Sequence, residues 1–166
     1  VKPDDLVSVL GAFHAEKLQM RQRHVAVARH VTDYDFNNTY QYIIAREDVH
    51  LSWLEAALAE AGVTPEALPE QTVTAARVGA KADFIPLVKD DAAQAEAFVA
   101  RWRPRLSAVS NARHRNMMQV ILGETLEQHR FFTQIVAGRE DLLGRRANGP
   151  ASPGTGDGVL PVRWLG

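Results

Sequence analysis

The chain has 166 residues, 46% of them hydrophobic, which is enough for one domain with a substantial core and too short to expect two. Its 20 acidic and 19 basic residues nearly cancel to a net charge of -1, so no strong field favours a nucleic-acid backbone or an anionic membrane surface. The absence of cysteine excludes disulfides, thiolate metal sites and thiol nucleophiles, so any metal must be held by His and carboxylate groups.

No apolar run approaches the roughly 20 residues of a membrane span, and the N-terminus lacks the apolar core of a secretory signal. The default expectation is a cytoplasmic protein. The sequence opens at Val1 rather than at a methionine, which leaves the native N-terminus open.

Leu6, Leu10, Phe13, Met20, Val27 and Val31 recur at helical spacing and predict a first helix from about Leu6 to Val31, after Pro3 and the Asp4-Asp5 pair. A second is predicted from Phe36 to Ala61, with Phe36, Tyr40, Ile43, Leu51, Leu54 and Leu58 inward and Gly62 as its stop. Two helices of about 40 Å joined by a few residues must lie antiparallel.

From Val63 to Asp90 the chain carries Pro65, Pro69, Gly79 and Pro86 and shows no sustained period. It reads as a crossover, with short helical pieces allowed around Glu66 to Leu68 or Thr72 to Val78. Extended, these residues span roughly 90 Å, ample for a return along the bundle. A third helix is predicted from Asp91 to Val109, with Ala95, Phe98, Trp102, Leu106 and Val109 inward and Pro104 expected to kink it or start a new turn. A fourth is predicted from Asn111 to Ala137, with Met117, Val120, Ile121, Phe131 and Ile135 inward and Gly138 ending it.

Residues 1–138 therefore read as an all-α four-helix bundle and 139–166 as a Gly/Pro-rich arm. The arm's apolar end, Val159 to Leu165, has two readings, a docking strap for the bundle, a neighbouring subunit or another protein, and a disordered tail. Short loop, long crossover, short loop is the connectivity of bundles with one long cross-connection. Arg101, Arg103, Arg105, Arg113 and Arg115 form a basic cluster at the predicted turn between helices 3 and 4, read as a solvated helix end or a contact for an acidic partner, not as a nucleic-acid site.

The motif with most chemical content is Glu47-x-x-His50. Its two side chains share one helical face and can hold one metal together, and Glu47 falls between Ile43 and Leu51, where an unpaired carboxylate would cost several kcal/mol. On this motif and the connectivity, the chain from about Leu6 to Ala137 resembles the ferritin-like, rubrerythrin-type di-iron family. That resemblance implies two metals held by Glu-x-x-His on helices 2 and 4 and by single Glu residues on helices 1 and 3, and it points to a homodimer.

The other positions depart from the family's pattern. Helix 4 places Glu124 on its expected inner stripe but Glu127 where a histidine belongs, with His129 out of register. Helix 3 offers Asp91 only at its predicted start, and Glu96 sideways. Helix 1 centres Lys17 on its apolar face, flanked by Glu16 and His14.

Two readings follow. In one, the metal centre is incomplete, Lys17, Glu47, His50 and Glu124 form a buried polar network, and the protein has a structural or interaction role. In the other, Glu47, His50 and Glu124, helped by Glu127 and by Glu16 or His14, hold iron or manganese in an oxidoreductase or iron-binding protein of the di-iron carboxylate type. His24 and His114 are expected to be core residues far along their helices from Glu47.

Overall fold

A computed structural model describes residues 3–78, 81–139, 142 and 143. Four helices form the body: α1 (Pro3–Ala28), α2 (Tyr34–Glu60), α3 (Ile85–Ser107) and α4 (Ala112–Val136), with a small hairpin of β1 (Ala76–Val78) and β2 (Lys81–Asp83) before α3. Local chemistry sets the ends. Asp33 and Asn111 cap α2 and α4, their side-chain oxygens accepting from the backbone N–H of Phe36 at 3.0 Å and His114 at 3.1 Å. Both helices stop at glycines in the left-handed region, Gly62 (φ +74°) and Gly138 (φ +78°). The following N–H groups, of Val63 and Arg139, then reach back to the carbonyls of Leu58 and Gln134.

The core divides into two apolar clusters. One joins Leu10, Phe13 and Met20 of α1 to Leu54 and Leu58 of α2, Phe98, Trp102 and Leu106 of α3, and Met118 and Ile121 of α4. The other joins Val27, Phe36, Tyr40, Ile43, Leu87, Val88, Phe132 and Ile135. Each helix contributes its first half to one cluster and its second half to the other, so α1 and α4 point one way and α2 and α3 the other. Residues 61–84 accordingly run from one end of the bundle to the opposite end.

That connection is not helical. Pro65 and Pro69 bias their neighbours towards extended backbone, and residues 63–75 carry no helix or strand. They are tied to α1 by side chains: Gln22 Nε2 donates to the carbonyl of Leu68 at 3.3 Å, Gln71 Nε2 to that of Gln19 at 3.0 Å, and the His30 ring contacts the carbonyl of Val73 at 3.1 Å. Where the sequence allowed a helical piece around Thr72 to Val78, Ala76–Val78 pairs antiparallel with Lys81–Asp83, Arg77 opposite Ala82.

Two further expectations are corrected. α3 begins at Ile85, six residues earlier than predicted, because Pro86 in its first turn starts a helix instead of breaking one, and the Asp83 side chain accepts from the Ile85 N–H at 3.1 Å. Asp91 therefore sits in the second turn, and the helix runs on past Pro104 to Ser107. α4 is rotated relative to its predicted stripe: Met118, Ile121, Leu122, Thr125, Gln128, Phe132 and Ile135 face inward, while Val120 is 50% exposed. The arm's expected docking segment, Val159 to Leu165, lies outside the described residues.

Candidate functional site

Between the two apolar clusters every helix contributes polar side chains, and these form a layer across the middle of the bundle. Lys17 comes from α1 between Phe13 and Met20, and Glu47 from α2 between Ile43 and Leu51; both are fully buried. Asp91 comes from α3 between Val88 and Ala95, and Thr125 and Gln128 come from α4 between Leu122 and Phe132.

Lys17 Nζ donates to Glu47 Oε1 at 3.2 Å and to Thr125 Oγ1 at 3.3 Å, and lies 5.5 Å from the centre of the Phe98 ring. The second oxygen of Glu47 faces His24 Nδ1 at 2.7 Å. His24 is thus a partner of Glu47, contrary to the expectation that it lies too far along α1. It stands two turns beyond Lys17 on the same face, and the long lysine side chain spans much of the roughly 10 Å between them, so both reach one carboxylate.

A second group adjoins the first. Asp91, also fully buried, accepts from Arg23 Nε at 2.6 Å and from the Tyr40 hydroxyl at 2.5 Å. The His24 ring packs edge-on to Tyr40 at 6.3 Å and against Phe132 at 5.1 Å. A third lies on the α2–α4 side, where Glu124 is paired with His50 Nε2 and with Arg46 Nη2, the latter at 2.6 Å. Glu124 is on the flank of α4, its side chain 30% exposed, and not on the inner stripe where the sequence placed it; Thr125 holds that position.

The remaining candidates scatter. Glu16 accepts from Trp102 Nε1 at 3.0 Å and pairs with Arg101. His14 pairs with Glu55 at 3.2 Å, and Glu127 is exposed. The basic cluster is largely engaged within the bundle: Arg105 stacks 3.8 Å from the Trp102 ring, Arg113 takes both oxygens of Glu60, and Arg115 bonds the carbonyl of Val109. A cleft of about 520 Å³ between α1, α3 and Gln71 is floored by Met20 and Phe98, and its two arginines, Arg23 and Arg101, already face Asp91 and Glu16.

The electrostatics follow from this placement. Burial works to lower the pKa of His24, but the Glu47 carboxylate and its hydrogen bond outweigh it and the net shift is upward. Burial works to raise Glu47, and the charges of His24 and Lys17 reverse it, leaving the carboxyl below its ordinary range. Burial lowers His50, against a smaller upward pull from Glu124, so its imidazole is neutral. Burial and the Asp91 carboxylate push Tyr40 far up, so its hydroxyl remains a donor.

These directions give opposite signs to the two histidines. His24, raised, adds stability that is complete below the ordinary value of 6.5 and is lost as pH climbs through its higher folded value. His50, lowered, costs stability as pH falls below 6.5, because the unfolded chain takes up that proton first. Urea denaturation across pH 5 to 9 should therefore show His24→Gln losing most against the parent on the acid side, and His50→Gln losing least there. Equal losses at all pH values for both variants would contradict the assignment.

The ligand set implied by the resemblance does not fit these residues. Glu47 has one oxygen on an ammonium and the other on an imidazole. The inward polar residues of α4 are Thr125 and Gln128, and Asp91 is held by Arg23 and Tyr40. Among the described residues no three His, Asp or Glu groups converge where one ion could sit.

The residues missed from sequence are His24, Thr125, Gln128, Arg23, Tyr40 and Arg46. For His24 the signal was its seven-residue spacing from Lys17. For Thr125 it was the choice between members of the Met117-Met118 and Phe131-Phe132 doublets, which leaves the facing of α4 ambiguous by one residue.

The chain is an all-α four-helix bundle with a buried ionic layer at mid-height. None of the described helices is long and apolar enough to cross a membrane. No family model matches the sequence, and neither the curated proteins nor the solved structures contain a match.

Proposed function

We propose that this protein is a ferritin-like bundle whose metal centre has been replaced by a salt-bridged layer, and that it serves a structural or interaction role. The observation that carries this reading is the position of Lys17. Its ammonium occupies the middle of the core, held by the carboxylate of Glu47 and the hydroxyl of Thr125, where the resemblance would put a cation-binding carboxylate. A resident ammonium supplies the positive charge that Glu47 requires, and it does so without an exchangeable ion. Such a layer selects register: one helix cannot slide past its neighbours by a turn without burying an unpaired charge.

The test is elemental analysis after expression with iron and manganese supplied, joined to thermal unfolding with and without chelator. Substoichiometric metal and an unchanged melting temperature are expected, because a chelator acts on stability only through an ion that the folded state binds. Near-stoichiometric iron or manganese that is lost in Glu47→Gln would overturn the proposal in favour of a metal-dependent oxidoreductase or iron-binding protein.

A further inference from the structure

The cleft between α1 and α3 has the volume of a small-molecule site, about 520 Å³. Buried Met20 and Phe98 form its floor. Exposed Ala97 of α3 and Gln71 of the connection line its sides, Gln71 being tied to α1 by its bond to the carbonyl of Gln19 at 3.0 Å. An arginine stands at each end: Arg101 faces Glu16, Arg23 faces Asp91, and Glu16 and Arg23 are two turns apart on α1, about 10 Å.

The polar atoms left over in this cleft are mainly donors. Asp91 accepts from Arg23 Nε at 2.6 Å and the Leu87 carbonyl from Nη2 at 3.5 Å, which leaves Nη1 without an acceptor among the described residues. Arg101 uses only Nη2, on Glu16, so its Nε and Nη1 lack one as well. The neighbouring carboxylates are already engaged. Asp91 divides its two oxygens between Arg23 and Tyr40, and Glu16 Oε2 accepts from both Arg101 and Trp102. Of the two arginines Arg23 is the stronger anchor: its side chain is 15% exposed against 50% for Arg101, and a contact made in less water is screened less.

We propose that this cleft binds a small organic monoanion, a carboxylate on an apolar chain, with the carboxylate on Arg23 Nη1 and the chain lying over Met20 and Phe98 towards Arg101. A carboxylate matches the planar edge of a guanidinium and supplies the acceptors that the lining lacks. A single charge suits the site, because Glu16, Asp91 and Asp90, the last 3.7 Å from Arg23 Nη2, would repel a dianion such as phosphate. Asp91 also fixes the guanidinium before the ligand arrives, so little side-chain freedom is lost on binding.

This goes beyond the reading of the buried layer: elemental analysis reads the interior and ligand titration reads the cleft, so each can fail alone. Octanoate titrated into the full 166-residue chain at neutral pH, followed by two-dimensional NMR, should bind with a dissociation constant at or below roughly 1 mM. Uncharged octanamide should bind roughly tenfold more weakly or worse, because it brings no charge to Arg23. Ala97→Trp, at an exposed position, fills the cleft and should weaken octanoate binding by roughly tenfold or more. Arg23→Lys keeps a charge for Asp91 but removes the Nη1 donors, and should weaken it as much. Far-ultraviolet circular dichroism checks that both variants keep the parent's helical content. Octanamide binding as tight as octanoate's, an affinity that Ala97→Trp leaves unchanged, or a chain that takes up no octanoate at all would overturn the proposal.

Discussion

Replacing Glu47 by Leu alone should destabilise the bundle by about 3–5 kcal/mol, the range for removing one partner of a buried ion pair. Lys17 would keep only the Thr125 hydroxyl at 3.3 Å for an ammonium with no exposure to water. Lys17→Met should cost less, because His24 still neutralises Glu47 from 2.7 Å on its other oxygen. The double variant Lys17→Met/Glu47→Leu should unfold within about 1–2 kcal/mol of the parent: two apolar side chains of similar volume replace the pair, and His24 is free to become neutral. Urea denaturation of the four proteins gives the cycle directly. Additive losses, with the double variant worse than Glu47→Leu, would mean that the two residues do not act as a pair.

The second large effect belongs to Asp91. Asp91→Ala should also cost about 3–5 kcal/mol, since it leaves the buried Tyr40 hydroxyl without its acceptor and the Arg23 guanidinium, 15% exposed, without its main carboxylate. Tyr40→Phe should cost about 1–2 kcal/mol, because Asp91 keeps Arg23 at 2.6 Å. Thermal unfolding at neutral pH separates the two. If Asp91→Ala loses no more than Tyr40→Phe, the arginine contributes nothing to the site and has moved to Asp90, 3.7 Å away. For a domain with a total stability of about 5–15 kcal/mol, either large effect removes much of the margin.

The layer explains why a protein would retain so many buried charges at its centre. Apolar clusters above and below it, each built from all four helices, pack by volume and shape and tolerate sliding by a turn better than ion pairs do. Lys17, Glu47, Asp91 and Arg23 do not tolerate it, because each has an ionic partner at one height only. Desolvation makes these pairs weak contributors to net stability; on the proposed reading, their value lies in the arrangements they exclude.

Helix periodicity alone determined the four-helix count, the burial of Phe36, Tyr40, Ile43, Leu51, Leu54 and Leu58 on α2, and the stops at Gly62 and Gly138. These are local properties: apolar spacing of 3.6 residues and a left-handed position that favours glycine. The inward placement of Lys17 and Glu47 was legible for the same reason, since each sits at the centre of an apolar stripe.

What only the tertiary structure decided was which polar groups meet. The rotation of α4 depended on packing against α2 and α3, because paired Met and Phe residues satisfy two facings equally well, and that rotation exchanged Glu124 for Thr125 at the centre. The early start of α3, which brought Asp91 to Arg23 and Tyr40, depended on Pro86 falling in a first turn. The convergence of Lys17 and His24 on one carboxylate depended on side-chain length acting between two helices, a distance that the spacing along one chain does not contain.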